Sequence, residues 1–269
     1  LSFPLKADKY TFFKLEITEL IDNKQKPQLA ELSIDASTEL PYSDYTRTLD
    51  IDNAIHTVMY KENGITFKRE YFMSYPDNVM VMRLTSDSKK GKLSRIISLE
   101  SLHTDKTITA DSHTITMTGY PTPVSGDKRV GDAWKNGLKY AQQLVVKNKG
   151  GKISVVDGTK LKVEDADEII VLMSAATNYV QCMDDSYNYF SQEDPLEKVQ
   201  AMLHKVADKK YTALLATHQK DYHSLYDRMR LNLGNLPEAP VAPTDSLLKG
   251  MDENTNSEQE NQYLEMLYF

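Results

Sequence analysis

The fold is decided by two apolar runs joined by a turn: residues 55–60 (IHTVMY), 61–64 (KENG) and 65–72 (ITFKREYF). Apolar and polar residues alternate along both runs, with the period of two that puts one face of a strand on a core. Asn63 and Gly64 favour the positive φ angles of a type I′ turn, whose twist matches that of the flanking strands. The stretch therefore predicts a β-hairpin.

The same alternation continues along most of the chain to about residue 180. Turn residues recur about every 8 to 12 positions, a spacing typical of a β-sandwich. A first hairpin is predicted where residues 13–17 and 29–34 alternate. Further strands are predicted at residues 79–84, 93–99, 107–110, 114–118, 138–146, 152–156, 160–163 and 168–174.

The period changes after about residue 190. Asp194, Pro195 and Glu197 occupy the N-cap, N1 and N3 positions of a helix that we expect to run to about Val206. A second helix is predicted from about Thr212, with an apolar stripe that must bury one face: Leu214, Leu215, His218, Tyr222, Leu225, Tyr226 and Met229. The predicted fold class is therefore mainly β, an antiparallel β-sandwich followed by a helical linker region.

Four segments are predicted from these patterns. Residues 1–37 form a closing hairpin or extra sandwich strands, residues 38–190 the sandwich, and residues 191–234 the helical linker. Residues 235–269 begin with three prolines between positions 237 and 243, which favour an extended connection. They end on an apolar helix start, YLEMLYF, with nothing after it to cover it. We expect the chain to be a piece of a longer protein.

Composition excludes several classes of protein. The formal net charge is −7 and no basic stripe is present, which argues against a nucleic-acid partner. No stretch approaches the roughly 20 consecutive apolar residues of a membrane span, and no signal peptide is recognisable, so we expect a soluble, mature segment. The single cysteine, Cys182, rules out an intramolecular disulfide and a cysteine zinc site.

Familiar catalytic motifs are missing from the sequence. GxSxG, GxGxxG and GxxxxGK[ST] do not occur, which excludes only the easily recognised enzyme classes. His218 and His223 are candidate metal ligands beside Asp221. On a helix, however, positions i and i+5 lie about 140° apart, whereas paired ligands use i and i+4. We predict no metal, no cofactor and no catalytic residue in this chain.

Aromatic residues leave two interpretations open. The chain has 16 Tyr, 7 Phe and one Trp, and tyrosine suits both half-buried strand faces and stacking on sugars. Trp134, Tyr187 and Tyr189 are the candidate sugar contacts, the two tyrosines following the adjacent Asp184 and Asp185. In the alternative interpretation, Trp134 packs at a strand entry and the tyrosine segment is a polar connection between sandwich and helices.

Three segments carry a resemblance to a known family: residues 45–54 (YTRTLDIDNA), 67–79 (FKREYFMSYPDNV) and 218–228 (HQKDYHSLYDR). Shorter matches lie at residues 136–138, 150–152, 175–179, 231–234 and 243–245. In this order, over roughly residues 42–269, the chain resembles the N-terminal sandwich and linker of glycoside hydrolase family 95, the α-L-fucosidase type. The Gly-Asn-Gly-Arg-type segment that opens that family is not found.

This resemblance implies a non-catalytic part of a secreted or periplasmic exo-glycosidase, inactive alone. Family members place the acid and the asparagine-assisted base of an inverting mechanism in an (α/α)₆ barrel that follows the linker. The implied partners are that barrel, in the same polypeptide, and a glycan ending in α-L-fucose or a related L-sugar, which the sequence does not specify. The alternative is a stand-alone carbohydrate-binding β-sandwich module.

The beginning of the chain carries a second resemblance. Residues 9–18 (KYTFFKLEIT) and 28–34 (QLAELSI) resemble the closing hairpin of a discoidin-type galactose-binding-like module. Such modules often accompany carbohydrate-active enzymes. If the resemblance holds, residues 9–36 are the last two strands of a separate module.

Overall fold

The computed structural model describes residues 42–88, 93–121, 137–181, 190–233 and 243–249, together with residues 261, 264, 265 and 267. All of them belong to the second of two compact units, Pro41–Phe269. The predicted N-terminal hairpin and the candidate sugar contacts Trp134, Tyr187 and Tyr189 lie outside these residues.

The described residues form eleven strands followed by three helices. The strands are β1 (Ser43–Asp50), β2 (Ile55–Glu62), β3 (Ile65–Ser74), β4 (Val79–Ser86), β5 (Leu93–Ser98), β6 (Lys106–Asp111), β7 (Thr114–Gly119), β8 (Tyr140–Lys149), β9 (Lys152–Val156), β10 (Lys160–Ala166) and β11 (Glu168–Thr177). The helices are α1 (Pro195–Val206), α2 (Tyr211–Tyr226) and α3 (Thr244–Lys249).

The strands form two antiparallel sheets. The large sheet has the order β1-β2-β3-β4-β11-β8-β7-β6, and the small one has the order β5-β10-β9. A core of buried side chains joins the small sheet to one face of the large sheet, with Leu93 and Leu161 on the small sheet and Ile115, Leu144 and Ile169 on the large one. This packing confirms the predicted antiparallel sandwich and the order of strands before helices.

The hairpin of β2 and β3 follows the sequence-based prediction. Glu62 pairs with Ile65, so Asn63 and Gly64 are the two turn residues. Their φ angles are 50° and 76°, both positive as a type I′ turn requires. Local turn chemistry therefore sets the register of this pair.

Helices cover the other face of the large sheet. Val199 and Leu203 of α1 and Leu214 of α2 pack with Phe72 and Leu172 in a second core. Strand β11 thus has core on both sides, with Ile169 facing the small sheet and Leu172 facing the helices. This double burial explains the unbroken apolar run in residues 169–172, where alternation is lost.

The start of α1 is as predicted. The Asp194 carboxylate accepts a hydrogen bond from the Leu196 N–H at 2.9 Å, and Pro195 occupies the first turn. The predicted stripe on α2 is wrong at its C-terminal end, because Leu225 is 63% exposed and Met229, which lies beyond the helix, is 60% exposed. The most extensive sheet contact of α2 is with β3, and the side chains of its last two turns bind the β1–β2 loop.

Lysine side chains fix the turn between the two helices on the sheet. Lys147 Nζ donates to the carbonyl oxygens of Ala207 and Lys209 at 2.7 and 3.0 Å. Lys209 Nζ in turn pairs with Asp77 at 2.7 Å, and the Asp77 side chain is only 4% exposed. The turn between α1 and α2 is therefore held at a defined position on the sheet.

Two elements are not predicted by the sequence patterns. Strand β1 is exposed along its whole length, so its sequence carries no apolar alternation. Helix α3 begins directly after Pro243, inside the range predicted to start as an extended connection. Across the residues that the structure describes, no helix has both the length and the apolar composition needed to cross a membrane.

Candidate functional site

The site is built around the β1–β2 loop, residues 51–54, which turns the chain at the edge of the large sheet. The Asp50 carboxylate accepts from the Asn53 backbone N–H at 3.1 Å and from its side-chain amide at 2.9 Å. Ala54 has a φ of 51°, in the left-handed region that alanine rarely adopts. A strained backbone of this kind persists only where surrounding contacts hold it in place, and here helix α2 provides those contacts.

One face of α2 binds this loop through four side chains. The positions 218, 219, 222 and 226 share a face because they are spaced by about one helical turn. Their hydrogen bonds are His218 Nε2 to Ala54 O at 3.2 Å, Gln219 Nε2 to Asn53 Oδ1 at 2.9 Å, Tyr222 OH to Ile51 O, and Tyr226 OH to Asp52 Oδ1 at 2.7 Å. Every residue of the loop is therefore held by the helix.

Together with Phe72 of β3, three rings on this face, those of His218, Tyr222 and Tyr226, form a ladder of aromatic side chains. Phe72 and His218 are stacked with centroids 4.9 Å apart, and Tyr222 and Tyr226 are stacked at 5.0 Å. The rings of His218 and Tyr222 connect these two pairs, with their centroids 6.2 Å apart and their planes nearly parallel. Aromatic contacts of this kind add to area burial, so the ladder and the hydrogen bonds stabilise the same contact.

Protonation states follow from this geometry. A carbonyl oxygen only accepts, so the proton shared by His218 and Ala54 is on Nε2. Burial, with the hydrogen bond to Asp52 as the next cause, raises the pKa of Tyr226 to about 12. Burial and the carboxylates of Asp52 and Asp50 also raise the pKa of Tyr222. Both phenols are therefore neutral donors at physiological pH.

Beside the ladder lies the α2 cleft, a cavity of about 380 Å³ between the helix and the edge of the large sheet. Its walls include Leu49, His56, Tyr71 and Met73 as well as the first three ladder residues. None of the described residues that line it is a carboxylate. The cleft offers apolar and aromatic contacts but no acid and base pair for glycoside hydrolysis, which uses two carboxylates.

The two histidines that were candidate metal ligands have separate roles. His218 is 6% exposed and lies in the ladder, whereas His223 Nδ1 lies 3.0 Å from Asp227 Oδ2. The hydrogen bond to His223 lowers the pKa of Asp227. Within the described ranges, no three His, Cys, Asp or Glu side chains are grouped so that they could hold a metal.

Sequence reasoning missed the β1–β2 loop as a binding partner of α2. Residues 45–54 and 218–228 stand out in the sequence only as two separate resemblances. The signal that unites them is the side-chain pattern of α2, where hydroxyl, amide and imidazole groups share one face. Such a face needs polar partners, and in the fold it finds them on the loop.

The architecture defines a class of protein: a β-sandwich domain whose outer face carries an attached helical segment, held by α2. Comparison with known families then places it. The chain belongs to the family of glycosyl hydrolase family 65 N-terminal domains, whose family model matches residues 9–182. The assignment to a glycoside hydrolase N-terminal domain is thus confirmed. The match includes residues 9–36, and the discoidin-type resemblance receives no support.

Curated relatives are named as fucosidases. "Probable alpha-fucosidase A" of Aspergillus niger is 28% identical over 247 residues, covering 90% of this chain and 29% of the relative. "Alpha-L-fucosidase 2" of Arabidopsis thaliana is 32% identical over 205 residues, covering 71% of this chain and 24% of the relative. The chain therefore spans about a quarter of the length of these relatives.

A solved structure aligns more distantly. Its title is "Putative kojibiose phosphorylase from human microbiome", and it gives a TM-score of 0.48 at 10% sequence identity. The alignment covers 69% of this chain and 25% of that structure.

Proposed function

We propose that this chain is the non-catalytic N-terminal domain, with its helical linker, of an exo-acting α-L-fucosidase resembling glycoside hydrolase family 95. The observation that carries the proposal is the 32% identity over 205 residues to a protein named as an α-L-fucosidase. The fold adds support, because the segments 45–54 and 218–228, which both carry the family 95 resemblance, bind each other through the β1–β2 loop and α2.

The chemistry of the described clefts supports a non-catalytic role. Hydrolysis of a glycosidic bond uses two carboxyl groups, about 5 to 9.5 Å apart depending on the stereochemical outcome. Among described residues, the α2 cleft has no carboxylate, and a second cleft at the end of the sandwich has only Glu100. The catalytic pair is therefore proposed to lie in a barrel of the same polypeptide.

The role proposed for this domain is to position that barrel. Helix α2 is bound to the loop along two and a half turns, and the α1–α2 turn is fixed by Lys147 and Lys209. We infer that this attachment fixes the position of the chain at Asp227 relative to the sandwich. We infer that this attachment holds the barrel, and with it the bound glycan substrate, in a fixed position relative to the sandwich. The whole protein is proposed to be secreted or periplasmic.

An activity assay tests both parts of the proposal. The purified 269-residue chain and a longer polypeptide that includes the barrel are each given p-nitrophenyl α-L-fucoside. We expect p-nitrophenol release from the longer polypeptide only. The matched substrate is p-nitrophenyl α-D-glucoside, which neither protein should cleave.

Two results would contradict the proposal in different ways. Hydrolysis of the fucoside by the 269-residue chain would show that this part of the protein is itself catalytic. Cleavage of the glucoside and not the fucoside by the longer polypeptide would leave the domain assignment in place but remove the fucosidase class.

A further inference from the structure

A second cleft lies at one end of the sandwich, on the face of the large sheet that also carries the small sheet. We call it the end cleft; its volume is about 590 Å³. Residues 99–105, which connect β5 to β6, form one wall, and the ends of β7, β8 and β11 form the other. Its size is within the range of roughly 300–1,000 Å³ found for small-molecule sites.

The connecting wall of the end cleft is held in place by the sheet. Lys106 Nζ donates to the carbonyl oxygens of Ser101 and His103 at 2.7 and 3.0 Å. The Tyr120 N–H donates to Asp105 O at 3.0 Å. At Gly119 a Cβ atom would lie 2.3 Å from that same carbonyl oxygen, so the close approach depends on glycine. The cleft is thus preformed, which lowers the ordering cost of binding a ligand.

Two polar side chains of the end cleft have capacity for further hydrogen bonds. Gln142 directs its amide nitrogen to Met173 Sδ at 2.8 Å, a weak acceptor, and its carbonyl oxygen has no partner among the described residues. Glu100 lines the opposite wall and forms no ion pair within the described ranges. A half-buried amide and a carboxylate therefore face one space with unused acceptors.

The floor of the end cleft is apolar and aromatic. Met117 is buried there without belonging to either core cluster, and the rings of His103 and Tyr140 lie 5.5 Å apart. Tyrosine and histidine present a flat apolar face with a polar edge. None of the described lining residues is lysine or arginine, so an anionic ligand would find no counter-charge and would meet Glu100.

We propose that the end cleft binds a neutral saccharide. A sugar ring has an apolar C–H face that suits the Met117 and Tyr140 floor, and a row of hydroxyls that donate and accept at once. Those hydroxyls can donate to Glu100 and to the Gln142 oxygen and accept from the Gln142 amide. The choice of test sugars rests on the proposed function, but saccharide binding by this chain and fucoside hydrolysis by the longer polypeptide are separate measurements.

Isothermal titration of the 269-residue chain with L-fucose, D-galactose and 2′-fucosyllactose tests this assignment. We expect a saturable heat with at least one of the three. Glu100→Ala and Gln142→Leu should each weaken that binding at least tenfold, since each removes hydrogen-bond partners of the sugar hydroxyls. Glu197→Ala is the matched control, an exposed carboxylate on α1 away from the cleft, and should bind like the original chain.

Thermal melting of each variant accompanies the titrations, so that a loss of binding is interpreted only where the fold is retained. The proposal is overturned if none of the three sugars gives a saturable heat, or if both cleft variants bind as well as Glu197→Ala. Saccharide binding by the 269-residue chain would support this proposal whether or not the longer polypeptide hydrolyses the fucoside.

Discussion

At the residue scale, the Tyr222 hydroxyl is the central link between α2 and the β1–β2 loop. Tyr222→Phe keeps the ring stacked on Tyr226 but leaves the Ile51 carbonyl without its donor. Losing such a bond costs about 0.5–1.5 kcal/mol, with more if the carbonyl stays buried. We expect a decrease of about 1 kcal/mol in the free energy of unfolding, measured by urea denaturation.

The control for this prediction is Tyr75→Phe, since Tyr75 is 80% exposed and lies in the β3–β4 turn. A surface change of this kind should stay within about 0.5 kcal/mol. Equal losses in the two variants would show that the loop contact contributes nothing to stability.

Tyr211 leads to a prediction of the opposite sign. Its hydroxyl is buried and has no hydrogen-bond partner within the described residues, and its ring packs edge-on against Phe72. A buried polar group without a partner costs free energy, and phenylalanine removes the group while keeping the ring. Tyr211→Phe should therefore be as stable as the original chain at pH 7, or more stable, in the same urea assay.

The alkaline pH dependence of stability tests the same residue. Burial, with the negative charge of Glu70 as the next cause, raises the pKa of Tyr211 to about 12, whereas an unfolded tyrosine titrates near 10. The folded state therefore holds this proton longer than the unfolded state does. The free energy of unfolding is therefore unaffected by this titration below about pH 10 and decreases as the pH rises to about 12.

Tyr211→Phe should therefore lose less stability between pH 10 and 12 than the original chain, as followed by denaturant midpoints. Part of the decrease in stability with pH remains, because Tyr226 also has a pKa of about 12. The double variant Tyr211→Phe, Tyr226→Phe should therefore show a still smaller decrease. An unchanged slope in both variants would be the contrary result.

At the element scale, the turn between β8 and β9 carries the chain from the large sheet to the small one. Gly150 and Gly151 have φ angles of 69° and 64°. A Cβ atom on Gly151 would lie 2.1 Å from the carbonyl oxygen of Glu164 and 2.7 Å from the backbone nitrogen of Ala166. Only glycine satisfies both the positive φ and the close approach of β10.

Gly151→Ala should consequently destabilise the protein by about 2–4 kcal/mol, adding steric overlap to the strain of a positive φ. The matched variant is Gly64→Ala, because Gly64 has a φ of 76° but no atom within 4 Å of the place that an added methyl group would occupy. That variant should cost about 1 kcal/mol from backbone strain alone. Denaturant unfolding measures both, and equal losses would remove the steric argument.

At the scale of the whole molecule, the helices complete the fold of the sheet. The buried side chains that α1 and α2 cover include Phe72, Val79, Val81 and Leu172. Four apolar side chains at about 1.5–3 kcal/mol each are comparable with the whole net stability of a domain, about 5–15 kcal/mol. The sheet should therefore not be stable without the helices.

A chain ending at Ser191 should be insoluble or should lack a cooperative thermal transition, as measured by circular dichroism. The control is a chain ending at Leu233, which keeps α1, α2 and the bond between Tyr226 and Asp52. It should melt cooperatively. A cooperative transition of the shorter chain at the same temperature would show that the helices are dispensable.

The fold could be predicted from sequence wherever its cause is local. Two such features are the type I′ turn at Asn63 and Gly64 and the Asp194 cap of α1. Each depends on residues only a few positions apart in the sequence. Exposed β1 could not be found in this way, because no apolar face marks it. The predicted burial of Leu225 on α2 was wrong, because burial at that position depends on what the fold places against the helix.

The candidate site could be predicted only in its parts. The sequence marks the aromatic and polar residues of α2 and the segment that contains the loop, but Tyr226 and Asp52 are 174 positions apart. Their contact depends on the strand order, which puts β1 and β2 at the edge of the sheet next to β3, a strand that α2 contacts. The end cleft likewise unites Glu100 with Gln142 across the sandwich.

The sequence by itself determined the alternation, the turns, the helix cap and the order of strands before helices, because short-range hydrogen bonds and side-chain periodicity specify them. Only the tertiary structure decided that the helices lie on the outer face of the large sheet, that α2 holds the β1–β2 loop beside one cleft, and that the end cleft opens on the opposite face. The physical reason is that these contacts join distant segments, whose meeting depends on how the whole core packs.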